Sequence, residues 1–166
     1  EPLRSEQTEA WYRSVGEVAR NGDWLVLRGY HQTDNLVATA TNQPFSHVAI
    51  LDVEHDRVVE AMAEGVRFMD LRDRLHESHH VMVMRPRWST PVNAEAAIAE
   101  ARSAVGTPYD MFGTVGVGSG ERFYCSELAI HIYRGFFTGD EQLSGVIEPG
   151  HMYLWGEILY DSRPRG

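Results

Sequence analysis

Lysine is absent from the 166 residues of this chain, so all 15 basic side chains are arginine. This absence excludes enzymes that need a Schiff-base lysine, a P-loop lysine or a serine–lysine dyad. The chain holds one cysteine, which cannot form an internal disulfide or a zinc site of several cysteines. Packing must therefore hold the fold, and 43% apolar residues suffice for one domain over residues 1–166.

Long hydrophobic runs are also absent. No stretch of about 18 apolar residues occurs, so no transmembrane segment is predicted. The formal net charge of -9 repels the phosphates of nucleic acids, which are therefore not expected as partners. The chain begins at Glu1 and not at a methionine. The numbered sequence is therefore expected to lack the natural start, either because a signal peptide has been removed, which would imply a periplasmic or secreted protein, or because the chain was prepared without it.

The first half of the chain predicts one helix followed by strands. An N-terminal helix is expected within residues 1–21, because Trp11, Val15 and Val18 recur at helical spacing. Residues 22–86 supply the strands, with a long polar loop at Tyr30–Phe45 and a short helix that Asp70 caps. Five β-rich runs are predicted as strands: Trp24–Leu27, His47–Val53, Arg57–Met62, Gly65–Met69 and Val81–Met84.

The second half predicts helices and a closing tail. Within residues 92–137, an Ala-rich helix is expected at Asn93–Val105, and four glycines exclude a stable helix at Gly113–Gly120. A second helix is predicted at Cys125–Phe137 from apolar residues four apart. The tail, residues 149–166, is expected to close the core as one apolar cluster: Tyr153, Leu154, Trp155, Ile158 and Leu159. The fold class is α+β, with an antiparallel sheet packed against helices.

Cys125 is the first candidate for chemistry, because it is predicted to lie at a helix start. Unpaired N–H groups there favour a thiolate, and the amides of Cys125 and Ser126 are placed to stabilise an oxyanion. A lone cysteine in an apolar helix is more often a small buried side chain. The glycines before it and the neighbours Tyr124 and Glu127 favour a partly open position.

A cysteine nucleophile needs a base, and His47 is the best placed of eight histidines because it opens a strand. His31, His55 and His131 are predicted to lie in a loop, a turn and a helix, in solvent-facing or structural positions. The cluster at residues 76–80 holds three histidines but no further ligand at a recognised spacing, so no metal site and no cofactor are predicted.

The base in turn needs an orienting carboxylate, for which Glu60 and Glu64 compete. Strand alternation puts both on one face, so the spacing does not choose between them. A solvated charge on a strand is the commoner role for either residue.

Six segments, taken in order, resemble the circularly permuted NlpC-type family of papain-like hydrolases, the YiiX-like group. They are Gly22-Asp23, Ser46–Ile50, Val59–Ala61, Gly65–Arg67, Tyr109-Asp110 and Tyr124–Leu128. The resemblance implies a papain-like fold and a triad of Cys125, His47 and Glu60, which selects Glu60 over Glu64. The sequence departs from the family at Ala49, where glycine is more common.

The resemblance implies a hydrolase that cleaves amide bonds of small peptides, including cell-wall peptides, through a thioester acyl-enzyme. Tyr109 and Tyr124 are expected to line the acyl pocket, and Ser126 to contact substrate. Two alternatives stay open at this stage. One is an acyl-lipid hydrolase or acyltransferase that uses the same triad. The other is a binding module with an idle site and a buried, unreactive Cys125.

Overall fold

The structure is a computed structural model that describes residues 1–29, 45–62, 64–107, 121–138 and 149–166, without the side chains of residues 121–124. Most of the predicted loop Tyr30–Phe45 and the glycine-rich segment Gly113–Gly120 lie outside these residues. His31, Tyr109 and the side chain of Tyr124 also lie outside the described part of the chain.

The described residues form one antiparallel sheet of six strands in the order β4-β3-β2-β1-β5-β6. The strands are β1 Trp24–Gly29, β2 His47–Asp52, β3 Arg57–Met62, β4 Gly65–Asp70, β5 Ser78–Pro86 and β6 Gly156–Asp161. The helices are α1 Pro2–Val18, α2 Leu71–His76, α3 Pro91–Ala104 and α4 Glu121–His131. The α+β class with an antiparallel sheet and flanking helices is confirmed.

Helices cover both faces of the sheet, which explains why its central strands are continuous apolar runs. Trp24 and Val26 of β1 pack with α3 and α4 on one face, and Leu25 and Leu27 pack with α1 and α2 on the other. All six residues of β2 are buried. The core therefore consists of two layers of side chains separated by the sheet.

Two helix starts follow from capping residues. Asp70 accepts a hydrogen bond from the backbone N–H of Asp73, which confirms the predicted cap of α2. Thr90 does the same for Asn93, and Pro91 occupies the first turn of α3, where its missing N–H costs nothing.

The predicted bounds of the cysteine-bearing helix are wrong at both ends. Helix α4 begins at Glu121, one turn before Cys125, and ends at His131. The N–H of Tyr133 then bonds to the carbonyl of Ile130, and a 3₁₀ turn follows at Arg134–Phe136. The α-helix thus ends before Tyr133, whose phenol reaches Gly22 in the turn that precedes β1.

The predicted apolar cluster of the tail is also wrong. Tyr153, Leu154 and Ile158 are 55%, 55% and 48% exposed, and the buried apolar residues of this segment are Pro149 and Met152. The tail forms a 3₁₀ turn and then β6, which pairs with β5 at the edge of the sheet. An edge strand covered on one face exposes its outward side chains, which is why the apolar residues do not gather.

Two hydrogen bonds attach α4 and the residues after it to β1 and the turn before it. The indole N–H of Trp24 donates to the carbonyl of Ala129 at 2.9 Å, and the hydroxyl of Tyr133 donates to the carbonyl of Gly22 at 2.8 Å. Gly22 has φ +84, and a Cβ there would lie 2.5 Å from that hydroxyl. Glycine is therefore required for the close approach that fixes the cysteine-bearing helix on the sheet.

Among the described residues, no helix has the length and apolar character that a membrane crossing requires.

Candidate active site

His47 and Glu60 meet across two neighbouring strands. Strand β2 pairs with β3 so that Ile50 lies opposite Val59, which places Ala49 opposite Glu60. His47 is therefore a diagonal neighbour of Glu60, a relation that long side chains can bridge. The Nε2 of His47 lies 2.9 Å from Oε1 of Glu60, and both side chains are buried.

Arginines surround the carboxylate of Glu60. Arg67 lies opposite it on β4, with its Nε 2.9 Å and its Nη2 2.8 Å from Oε2. Arg74 of α2 approaches Oε1 to 3.5 Å. Glu60 itself is 0% exposed, so these charges replace the water that a carboxylate would otherwise need.

The charges of the site shift both pKa values. Burial alone would raise the pKa of the Glu60 carboxyl, but hydrogen bonds from His47 and Arg67 and the charges of His47 and Arg74 lower it to about 2. Burial alone would lower the pKa of the His47 imidazole, but Cys125 and Glu60 raise it to about 10. The imidazole is therefore a cation paired with a carboxylate at neutral pH.

Cys125 of α4 shares a hydrogen bond with His47. Because Nε2 faces Glu60, Nδ1 is the ring nitrogen left for the sulfur. Cys125 is 1% exposed, so the predicted partly open position is wrong. Leu128 and Ala129, which follow it on α4, pack into the core and draw this face of the helix against the sheet. An imidazolium beside a thiol favours the thiolate form, which is the nucleophile.

The helix does not supply the predicted oxyanion donors at its first turn. Because α4 begins at Glu121, the amides of Cys125 and Ser126 lie beyond the four N–H groups that lack a partner within a helix. The side chain of Ser126 is 0% exposed and presents no surface to a substrate in this structure. The roles proposed for Tyr109 and Tyr124 fall outside the described side chains.

The competing candidates lie elsewhere. Glu64 is exposed in the turn between β3 and β4, so strand alternation does not apply to it. His55 contacts Asp52 at 3.2 Å, and His80 contacts Asp161 at 2.6 Å. Across the described ranges, no three His, Cys, Asp or Glu side chains are grouped as metal ligands.

A sequence model described as the permuted papain-like amidase family, YaeF/YiiX, C92, matches residues 19–143. The match spans most of the chain and includes the three residues that meet at this site. The chain belongs to this family. Membership confirms the family that the sequence motifs indicate.

A solved structure agrees on the fold. The chain is similar to yiiX from Escherichia coli O157:H7, with a TM-score of 0.54 and 21% identity over 70% of this chain. The match spans 65% of that protein's length, just under two thirds. That protein is described as a metalloprotein. A search of the curated proteins finds no match to this chain.

Sequence reasoning did not assign a role to Arg67 or Arg74. The signal for Arg67 is the spacing of β3 and β4, because Met62 pairs with Gly65 and this register places Arg67 opposite Glu60. Arg74 reaches the site only because α2 packs back on the sheet, which the spacing does not predict.

Proposed function

We propose that this protein hydrolyses amide or peptide bonds through Cys125, His47 and Glu60. The observation that carries the proposal is the continuous contact from sulfur to imidazole to buried carboxylate, with Nε2 of His47 2.9 Å from Glu60. A cysteine with a purely structural role does not require a charged partner such as His47. A glutamate with no role beyond surface charge would be exposed to solvent, whereas Glu60 is buried.

The thiolate of Cys125 attacks the carbonyl carbon, and the C=O π electrons move to the oxygen. The imidazolium of His47 then donates its proton to the leaving nitrogen as the C–N bond breaks, which yields a thioester and an amine. Neutral His47 next takes a proton from water, and the resulting hydroxide attacks the thioester carbonyl. The C–S bond then breaks, which releases the acid and restores the Cys125 thiolate and the His47 imidazolium. Glu60 accepts the Nε2–H throughout and stabilises the imidazolium.

Small peptides, including cell-wall fragments, are the proposed substrates. The net charge of -9 offers no attraction to anionic bilayers or nucleic acids. An acyl-lipid substrate is the second candidate, and the exposed Tyr153, Leu154 and Ile158 favour it because they supply an apolar surface.

A substrate panel tests the proposal. Short peptides, muropeptides, thioesters and phospholipid vesicles are incubated with the wild type and with Cys125→Ala. We expect amide hydrolysis by the wild type alone. Faster turnover of vesicle lipids than of any peptide would favour the second candidate, and equal turnover by Cys125→Ala would contradict the role of the cysteine.

A further inference from the structure

The β4 strand carries a residue that the hydrolytic steps do not use, although its side chain contacts the site. Arg67 directs both its Nε and its Nη2 to the same oxygen of Glu60, Oε2, at 2.9 and 2.8 Å. The other oxygen, Oε1, is thereby left to face Nε2 of His47. Each oxygen of the carboxylate has its own principal partner.

We propose that Arg67 is a positioning residue for hydrolysis, which holds Glu60 charged and aims its Oε1 at His47. The inference rests on the proposed role of Glu60 in the triad. Arg67 is 47% exposed on its side chain, whereas Glu60 is 0% exposed, so the arginine brings a cation from the surface to a buried anion.

Among the side chains that the structure describes, the charged groups that face Glu60 belong to three elements. His47 lies on β2, Arg67 on β4 and Arg74 on α2. Arg74 approaches only to 3.5 Å and is engaged elsewhere, because it also donates to the sulfur of Met69 at 2.9 Å and pairs with Glu77 at 3.2 Å. Arg67 is therefore the arginine with the shorter contacts to the carboxylate, and the charge of the more distant Arg74 acts together with it to lower the pKa of Glu60.

A cross-strand ion pair can also be merely structural, and exposed pairs of that kind contribute little to stability. The two roles differ in their effect on proton binding. If Arg67 keeps Glu60 ionised, its loss raises the pH at which Glu60 takes up a proton. A protonated Glu60 no longer stabilises the charged form of His47, and the imidazolium is what favours the thiolate of Cys125. A structural pair affects the melting temperature alone.

The test measures the alkylation rate of Cys125 by iodoacetamide between about pH 2 and pH 9, read by intact mass, at each pH where circular dichroism shows the protein folded. Since Cys125 is the only cysteine of the chain, thiol labelling can occur only at this residue. The acid limb is the low-pH part of the plot of labelling rate against pH, where the rate falls as the pH decreases. We expect Arg67→Gln to move this limb to higher pH by about 1 pH unit or more, so that labelling at a given pH on the limb is about tenfold slower. Arg67→Lys should move the limb less than Arg67→Gln, because lysine keeps the positive charge but lacks the several N–H donors of the planar guanidinium.

Arg57→Gln is the matched control. Arg57 donates to the fully buried Asp52 at 2.8 Å on the same sheet, so its loss breaks an equivalent ion pair away from the cysteine. We expect it to lower the melting temperature and leave the acid limb unchanged. Identical acid limbs for Arg67→Gln, Arg57→Gln and the wild type would overturn the inference.

A second measurement separates this inference from the proposed function. Carbon-13 NMR follows the titration of the Glu60 carboxyl directly, with Glu60→Gln to assign the signal. If folded protein resists alkylation at every pH, the proposed thiolate fails, and the NMR titration still decides on Arg67. An upward move of the Glu60 titration in Arg67→Gln supports the inference, and an unchanged titration refutes it.

Discussion

Glu60→Gln tests the role of the buried carboxylate most directly. The pKa of the Glu60 carboxyl falls from the ordinary 4.5 to about 2 in the folded protein. That net change corresponds to about 3 kcal/mol of preferential stabilisation of the charged form, to which His47 contributes more than Arg74 or Arg67. If the contribution of His47 acts on the imidazolium in the transition state, its loss costs up to roughly 10²-fold in rate. The loss of a triad carboxylate in a serine protease costs about 10⁴. We therefore expect turnover to fall by about 10² to 10⁴.

The amide also leaves Arg67 and Arg74 beside a neutral group, so the variant should be less stable as well as less active. Turnover is measured on the best substrate of the panel at a temperature where circular dichroism shows the variant folded. Glu64→Gln is the control, because its side chain is exposed and surface substitutions usually change stability by less than about 0.5 kcal/mol. An impaired Glu64→Gln beside a fully active Glu60→Gln would refute the assignment of the triad.

Three further predictions concern reactivity and stability. Iodoacetamide should still label Cys125 near pH 6, well below the pKa of about 8.5 of an ordinary thiol, and a labelling rate that follows an ordinary thiol would contradict this. The pKa of His47 is raised to about 10, so its contribution to stability is complete below pH 6.5 and is lost as the pH rises toward 10. The free energy of unfolding, measured with urea, should fall over this pH range in the wild type and change less with pH in His47→Gln. Parallel plots of this free energy against pH for the two proteins would contradict the prediction. Arg165→Ala should lower the free energy of unfolding by about 3 kcal/mol, because this buried side chain donates to the carbonyls of Ser78 and Leu75. The exposed Arg13→Ala is its control in the same thermal melts, and equal stability of the two variants would disprove the contribution.

The spacing of apolar residues along the chain, together with residue composition, predicted most of the helices and strands. The β-branched runs predicted all five strands that precede the tail, and the bounds of Arg57–Met62 agree with the structure. The apolar tail was misassigned because hydrophobicity in a short segment does not distinguish a buried cluster from an edge strand. Pairing with β5 decides which of its side chains face solvent.

The sequence by itself determined the chemistry that this protein can offer: one cysteine, no lysine and a histidine that opens a strand. These limits are local, since they depend on which residues are present and on their spacing along the chain. Only the tertiary structure brings His47 to 2.9 Å from Glu60, buries Cys125 and places Arg67 and Arg74 around the carboxylate. Strand register and helix packing decide those contacts, because they join residues far apart in the chain, and burial then strengthens the charges that they bring together.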